Sequence, residues 1–479
     1  MIPSPGPAPG CEPLGIHHGV QERGIRDRVH YTVAMKRLLL VTYGFPPVSR
    51  VQSQGAAKLA TGLAQRGWDV HVLTIADPPT FLLDDALSAE VPDNVVSHGT
   101  YSLEPTRLLQ LVRRIRQRVS GTTPAAKLGD ERPRSYTSLP PWAVRSLRNL
   151  FFPDEKTGWT PWAVRAGLRM HREEPFSAII STGPPYTAHV IAERISRKTG
   201  LPWLAVLMDP IVGCYAFPPA SALHARMFER LETRVAKRAS AIAIATRPWA
   251  EAIVERNPSC RDRVTVHPNG FDPADYESEA PAPHEGFLVS YVGSFQLSIC
   301  PNTFLDAVVE LRKDPQIARD LRVRFVAPID AQTTEAIAQR GLESLVERTG
   351  FVGHHEAVQK MRATDVLLFV LGPEQESRGI LTGKLPEYLA SGAMILAEAP
   401  EGVATETILR AGAGLVVPPR DAGATADALR TMHQLWREGR LLRPDPVVVA
   451  EFNHERTLDS LADVVAGIES GATPMEGRQ

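Results

Sequence analysis

The sequence predicts an α/β protein built from two doubly wound parallel-sheet domains that face each other across a cleft. Three observations predict it. Short continuous apolar runs alternate with helical periods through the first half of the chain, and the same rhythm restarts after a Pro- and Ala-rich break near residue 280. A chain of 479 residues is also too long for a single hydrophobic core.

The first unit begins with RLLLVTY, Arg37 to Tyr43, an apolar run of the kind found in buried parallel strands. Gly-Phe-Pro-Pro ends it, because a strand cannot continue through that turn. GAAKLATGLAQRG follows, with Ala56, Leu59, Ala60 and Leu63 at helical spacing and Gly67 as the stop. DVHVLTI is the next strand, so strand, loop, helix and strand fall within about 40 residues, a βαβ unit. SAIIST, PWLAVLM, AIAIAT and VTVHPNG continue the series. SEAPAPHEG then breaks every period and reads as a linker over 279–286. FLVSYVGS, a helix from Asn302 to Arg312, RVRFVAP, a helix around Ile337, GFVGH, DVLLFVL, AMILAEA and GLVVPP repeat the alternation. The expected division is a leader over 1–34, an N-terminal domain over 35–278, a C-terminal domain over 287–470 and a tail over 471–479.

Composition narrows the function classes. A net charge of −1 gives no global attraction to nucleic acid. Cys11, Cys214, Cys260 and Cys300 are scattered, with no paired spacing and no metal-ligand pattern, which suits free thiols in a reducing compartment. No apolar run approaches the length of a membrane span, and the Pro- and Gly-rich start lacks the regions of a signal peptide. A cytoplasmic protein is expected. One stretch departs from the alternation: Arg107, Arg113, Arg114, Arg116, Arg118 and Lys127 lie in a segment without acids from Pro105 to Gly129. Leu108, Val112, Ile115 and Val119 recur there at helical spacing. Within this insert of about 105–150 the helix suits either an anionic membrane surface or its own domain.

Ligands of facing α/β domains gather at strand ends in the cleft. GKLPEYLASGAMILAEAPEG places Lys384 and Glu387 three residues apart at a helix start, on one face. A helix N-terminus with a lysine suits a diphosphate. A carboxylate one turn later can accept from two ribose hydroxyls. KLPEYLASGAMIL resembles the K-x-x-E-Y-L-A-x-G-x-P-I-L signature of the family 4 glycosyltransferases, notably those that build bacterial surface polysaccharides. FPPVSR, GWDVHVLT, FSAIISTGPPYTAH with KTGLPWLAVLMDP, HPNGFD, SYVGSF, GFVGHHE and FNHERTL resemble other family stretches in the same order, from Lys36 to Ile468.

The resemblance implies a GT-B-like fold of two Rossmann-like domains and a donor nucleotide held by the C-terminal one. It implies that Lys384 meets the diphosphate and Glu387 the ribose, that Val352 and Gly353 frame the base, and that the Gly293-Ser294 turn approaches the phosphates. It also implies a retaining reaction that needs neither metal nor cofactor. Three departures stand out. Gly379 occupies the position where many members carry a second glutamate, with Glu374 and Glu376 out of register. VGSFQLSICPN lacks the family's basic pair, and Ser49-Arg50-Val51 replaces glycines in the first loop. There Arg50 either supplies a donor contact by its side chain or blocks one.

Two cleft residues complete the candidates. His189, after STGPPYTA, is placed to touch the acceptor or a sugar hydroxyl, or else is a structural imidazole. Asp209, after LAVLM, is placed to orient an acceptor hydroxyl or to cap a helix. Trp159 and Trp162 read as packing residues, and His267-Pro268-Asn269-Gly270 reads as a turn near the hinge. The expected function is transfer of a sugar from a nucleoside-diphosphate donor, and the basic insert favours a lipid-linked acceptor at the inner membrane face. The alternatives are a non-catalytic sugar-nucleotide-binding partner and a sugar-nucleotide epimerase.

Overall fold

The computed structural model describes residues 36–48, 51–76, 88, 91–105, 107, 151–214, 217–277, 281, 283–293, 301–373 and 378–471. Seven strands, β1 (Lys36–Val41), β2 (Trp68–Ile75), β3 (Val95–Thr100), β4 (Ala178–Gly183), β5 (Trp203–Leu207), β6 (Ala241–Ile244) and β7 (Val264–Val266), form one sheet. Six more, β8 (Phe287–Val292), β9 (Leu321–Val326), β10 (Val346–Arg348), β11 (Val366–Val370), β12 (Met394–Glu398) and β13 (Gly414–Val417), form the second. The orders are β3-β2-β1-β4-β5-β6-β7 and β10-β9-β8-β11-β12-β13, with every pair parallel. Each sheet therefore reverses its winding once, between β1 and β4 and between β8 and β11. Such reversals open a crevice at the carboxyl ends of the strands.

The helices that cover the first sheet are α1 (Val51–Gln65), α2 (Thr160–Glu173), α3 (Thr187–Thr199), α4 (Ala222–Arg238) and α5 (Arg247–Arg256). Those that follow are α6 (Asn302–Leu311), α7 (Pro315–Asp320), α8 (Ala331–Gln339), α9 (His354–Arg362), α10 (Lys384–Ser391), α11 (Val403–Arg410), α12 (Ala422–Arg437), α13 (Pro446–Ala450) and α14 (His454–Glu469). Because side chains alternate along a strand, β1 buries Leu39 and Val41 beneath α2, α3 and α4, and Leu38 and Leu40 on the opposite face. Burial on both faces explains why the central strands read as unbroken apolar runs.

The last helix corrects the domain boundary expected from the sequence. Leu458, Leu461, Val464, Val465 and Ile468 of α14 join the core of the first sheet, alongside Leu59 and Leu63 of α1. The C-terminal segment thus crosses back to the N-terminal domain instead of ending in the C-terminal one. Gly62 permits the close contact, since a Cβ there would overlap Leu458. Each large apolar side chain buried on α14 contributes roughly 1.5–3 kcal/mol.

The two crossings meet. Phe271 donates its N–H to the Phe452 carbonyl at 3.0 Å, and His454 donates to the Phe271 carbonyl at 3.0 Å. Gly270 is needed for this approach, because a Cβ would stand 2.7 Å from the Phe452 oxygen. The outward connection already leaves the first sheet after Val266, so the stretch 279–286 is only the end of a longer passage.

Trp159 is fully buried and donates its indole N–H to Thr100 Oγ1 at 2.7 Å, whereas Trp162 is part-exposed and packs edge-on against Tyr101. Cys214 and Cys260 are buried. Of the basic insert only Pro105 and Arg107 are described, with Arg107 donating to the Ala76 carbonyl at 2.6 Å. Its other residues, the leader and the end of the tail lie outside the described residues. No described helix is long and apolar enough to cross a membrane.

Candidate functional site

The site is built at the reversal point of the second sheet. β8 ends in Gly293, and α10 starts at Lys384, after the loop that follows the adjacent strand β11. α10 buries Leu385, Tyr388 and Leu389 against the sheet. Tyr388 fixes the join: its hydroxyl donates to the Val292 carbonyl at 3.1 Å and accepts from the Val292 N–H at 3.1 Å. That anchorage brings Lys384 over the end of β8. Its Nζ donates to the Tyr291 hydroxyl at 2.8 Å and lies 4.5 Å from the Tyr291 ring centroid.

Gly293 is required twice over. Its φ is +113°, a conformation that disfavours L side chains, and a Cβ would stand 2.6 Å from Lys384 Nζ. Burial, against the pull of Glu387, brings the Lys384 ammonium down to about 8. Lys384 forms no ion pair among the described residues. A half-buried cation without a counter-ion is costly in a folded chain, and it stands here at the positive end of a helix.

Glu387 lies one turn on. Burial pushes its carboxyl up, while His354 and Lys58 hold it down. These two belong to a network that spans both domains. Lys58 of α1 approaches Asp272 at 3.4 Å and Asp275 at 3.5 Å, and His354 of α9 donates Nε2–H to Asp275 at 2.9 Å. The hydrogen bond to Asp275 raises the His354 imidazole above its usual range. Tyr276 donates its hydroxyl to the Glu387 carbonyl at 3.1 Å. Val352 and Gly353 immediately precede His354, with Gly353 as the N-cap residue of α9.

Sequence reasoning did not single out Tyr291, Tyr388, Lys58, Asp272, Asp275, Tyr276 or His354. His354 sits inside GFVGHHE and Lys58 inside the first helix, but nothing in their spacing joins segments so far apart in the chain. Ser294 and Arg50, and also Glu374 and Glu376, lie outside the described residues.

The N-terminal candidates divide. His189 is fully buried, with Nδ1 2.8 Å from Ser181 Oγ, which itself accepts the Trp203 indole N–H at 2.7 Å. Burial drives the imidazole down to about 3, so it is neutral at any physiological pH. α3 holds His189 against Ser181 of β4, while Nε2 is buried without a partner among the described residues, beside Gly183 at the carboxyl end of that strand. Asp209 is half-buried at the carboxyl end of β5, and burial raises its carboxyl to about 6. It caps no helix, since the next helix, α4, is capped by Ser221. Beside it, Tyr186 donates its hydroxyl to the Pro210 carbonyl at 2.7 Å. His267 at the hinge is driven down to about 4 by burial and by neighbouring His454.

The two domains also touch at the loop before α10. Thr246, just after β6, donates its hydroxyl to the Gly379 carbonyl at 3.0 Å. The carboxyl end of the first sheet thus faces the loop that leads to Lys384.

Comparisons with known proteins agree with this arrangement. A family model described as a glycosyl transferase 4-like domain matches residues 52–270, and one described as glycosyl transferases group 1 matches residues 286–434. Among curated proteins, none matches this sequence. Solved structures share the fold. Sucrose-phosphate synthase from Thermosynechococcus elongatus is 17% identical, with a TM-score of 0.61 over 91% of this chain and 100% of its own. Anabaena HepE in complex with UDP and glucose is 13% identical, with a TM-score of 0.59 over 90% of this chain and 100% of its own. WaaG, a glycosyltransferase involved in lipopolysaccharide biosynthesis, is 15% identical, with a TM-score of 0.55 over 90% and 100%. Two family models that together span both domains, on a fold shared with GT-B enzymes, show that the chain belongs to the GT4-type glycosyltransferases.

Proposed function

We propose that this glycosyltransferase takes its sugar from a nucleoside-diphosphate donor seated on α10, and passes it to an acceptor bound against the N-terminal domain. The observation that carries this reading is Lys384: a half-buried ammonium at a helix start, cleared by Gly293, with no carboxylate paired to it among the described residues. A diphosphate is the complementary ligand, for it brings negative charge to the lysine and to the positive end of the helix together. Glu387, one turn on from Lys384 and facing His354 and Lys58, accepts from the vicinal ribose hydroxyls.

As the glycosidic bond to the diphosphate breaks, charge builds on the leaving oxygen. Lys384 and the helix start are already placed to stabilise it, and the Tyr291 hydroxyl holds the ammonium in position. In this reading Asp209, two residues beyond the carboxyl end of β5, orients the acceptor hydroxyl. Retention of anomeric configuration, without a metal or cofactor, belongs to this reading through the family resemblance. A lipid-linked acceptor, in surface glycan assembly at the inner membrane face, is favoured by the basic residues between Arg107 and Lys127. HepE, whose fold this chain shares, was solved with UDP and glucose, which makes UDP-sugars the first donors to try.

The test is a thermal-shift screen against UDP-, GDP-, ADP- and dTDP-sugars, with release of nucleoside diphosphate followed in the same wells. A donor at 100 times its Kd stabilises by about 2.7 kcal/mol. A selective shift with slow release supports the transferase and names the base. A shift without release, persisting when lipid-linked acceptors are added, favours the non-catalytic binding partner. No shift with any donor removes the reading.

A further inference from the structure

The contact between the domains at Gly379 carries more than a hydrogen bond. Trp249, in the first turn of α5, lays the pyrrole edge of its indole directly on Gly379: a Cβ at that position would stand 2.7 Å from Trp249 Cδ1 and overlap Nε1. Gly379 lacks a positive φ, so close approach and not backbone strain is what requires glycine here. On its other side the loop rests on α11, where a Cβ at Gly402 would stand 2.6 Å from Arg378 Cα. The loop is thus held between the two domains. Trp249 itself is only partly buried, and its indole N–H makes no hydrogen bond among the described residues.

On the donor reading given above, ribose lies toward Glu387 and the diphosphate at Lys384, so the transferred sugar extends to the other side of Lys384. The segment there is the loop 378–383, and the group reaching it from the opposite domain is Trp249. We propose that Trp249 is a specificity-determining residue: the N-terminal domain uses its indole, in the space that a side chain at 379 would fill, to contact the donor sugar. An indole offers an N–H that donates only, and an apolar ring against the C–H face of a sugar. A carboxylate, the group many relatives carry at this position, would accept only. The exchange of glutamate for glycine plus an opposing tryptophan therefore favours sugars that present an acceptor oxygen at this point.

The experiment titrates the full chain with UDP, GDP, ADP and dTDP, and with the glucose conjugate of each, plus UDP-glucuronate as a sugar with an added acceptor group. Wild type is compared with W249F, T246V and K384A. For whichever base binds, W249F is expected to keep the bare nucleotide Kd within about twofold. It should also reduce the extra affinity given by the sugar, on the order of three- to tenfold, the range for one lost hydrogen bond. T246V removes the contact between the domains without touching the indole, and is expected to leave that sugar increment intact. An unchanged increment in W249F overturns the proposal, as does an equal loss for nucleotide and conjugate, which would assign Trp249 to domain closure alone. Should W249F fail to fold, G379A, which displaces the indole from its seat, must show the same sugar-selective loss. K384A separates the two levels: if it leaves nucleotide affinity unchanged, or if no nucleotide binds wild type, the donor site itself is wrong and the sugar contact falls with it.

Discussion

Lys384, half-buried, and His189, fully buried, are both titratable side chains near the carboxyl end of a strand, one in each domain, yet burial means different things for them. His189 has been given a partner by the core: Ser181 holds Nδ1, Trp203 completes the chain, and the ring stays neutral. Lys384 is held by a phenol that can orient it but cannot neutralise it. His189 is hydrogen-bonded on one side only: its Nε2 is buried with no partner among the described residues, yet the ring is neutral, so what is unmet there is one hydrogen bond and not a charge. Lys384 carries a charge that the fold has placed without a counter-ion, and such a charge implies a ligand that supplies one. The comparison teaches that a shifted pKa marks function only when the charged form is retained and faces a cleft.

The largest expected effect comes from Lys384→Ala. Loss of charge-assisted contacts of roughly 1.5–3 kcal/mol lowers donor affinity by about 10- to 150-fold, measured by calorimetry. The same change should not lower the melting temperature, since it removes an unpaired half-buried charge. Gly293→Ala comes next. Its positive φ and its clash with the lysine predict weaker donor binding together with a stability loss of about 1–2 kcal/mol in denaturant unfolding. A result in which only stability changes would detach Gly293 from the site.

For His189 the split runs the other way. His189→Phe should cost about 1–3 kcal/mol of stability, by leaving Ser181 poorly satisfied, while kcat/KM of the folded enzyme changes by less than about twofold. A large loss of kcat/KM at unchanged stability would restore it to the catalytic site.

The pH dependences sharpen the contrast. Lys384 has a folded pKa of about 8 before the donor binds, so donor affinity should hold below pH 8 and fall as pH rises through it. Lys384→Arg should flatten that limb, because guanidinium stays charged. His189 has a folded pKa of about 3 against an ordinary 6.5. Between these values the unfolded chain binds more protons, so stability is present above pH 6.5 and is lost as pH falls, by about 1.4 kcal/mol per unit. His189→Phe should remove this contribution from the acid limb of the unfolding curve.

Much of the fold was legible because buried parallel strands advertise themselves as apolar runs, and each run except GFVGH sits in one of the two sheets; 350–353 form no strand and lead into α9. The return of α14 was not. Its apolar stripe announces that it packs on something, but a stripe carries no address, and only the meeting of the two crossings at Phe271 and Phe452 fixes which sheet receives it. At the site, Lys384 and Glu387 were legible because both belong to one helical turn. The Lys58, Asp275 and His354 network was not, since it draws single residues from three distant segments. For His189 only the position was legible. Its position in the chain places it beside the cleft, and only the orientation of α3 decides that the ring points inward.

The most direct test of the central claim is calorimetric titration of the nucleoside diphosphate of the preferred donor, UDP first, into wild type and Lys384→Ala at pH 7 and pH 9. The account predicts tight binding by wild type at pH 7, weaker binding at pH 9, and weak binding by the variant that no longer depends on pH in this range. Equal affinities for wild type and variant at both pH values would contradict it, and would move the diphosphate away from α10.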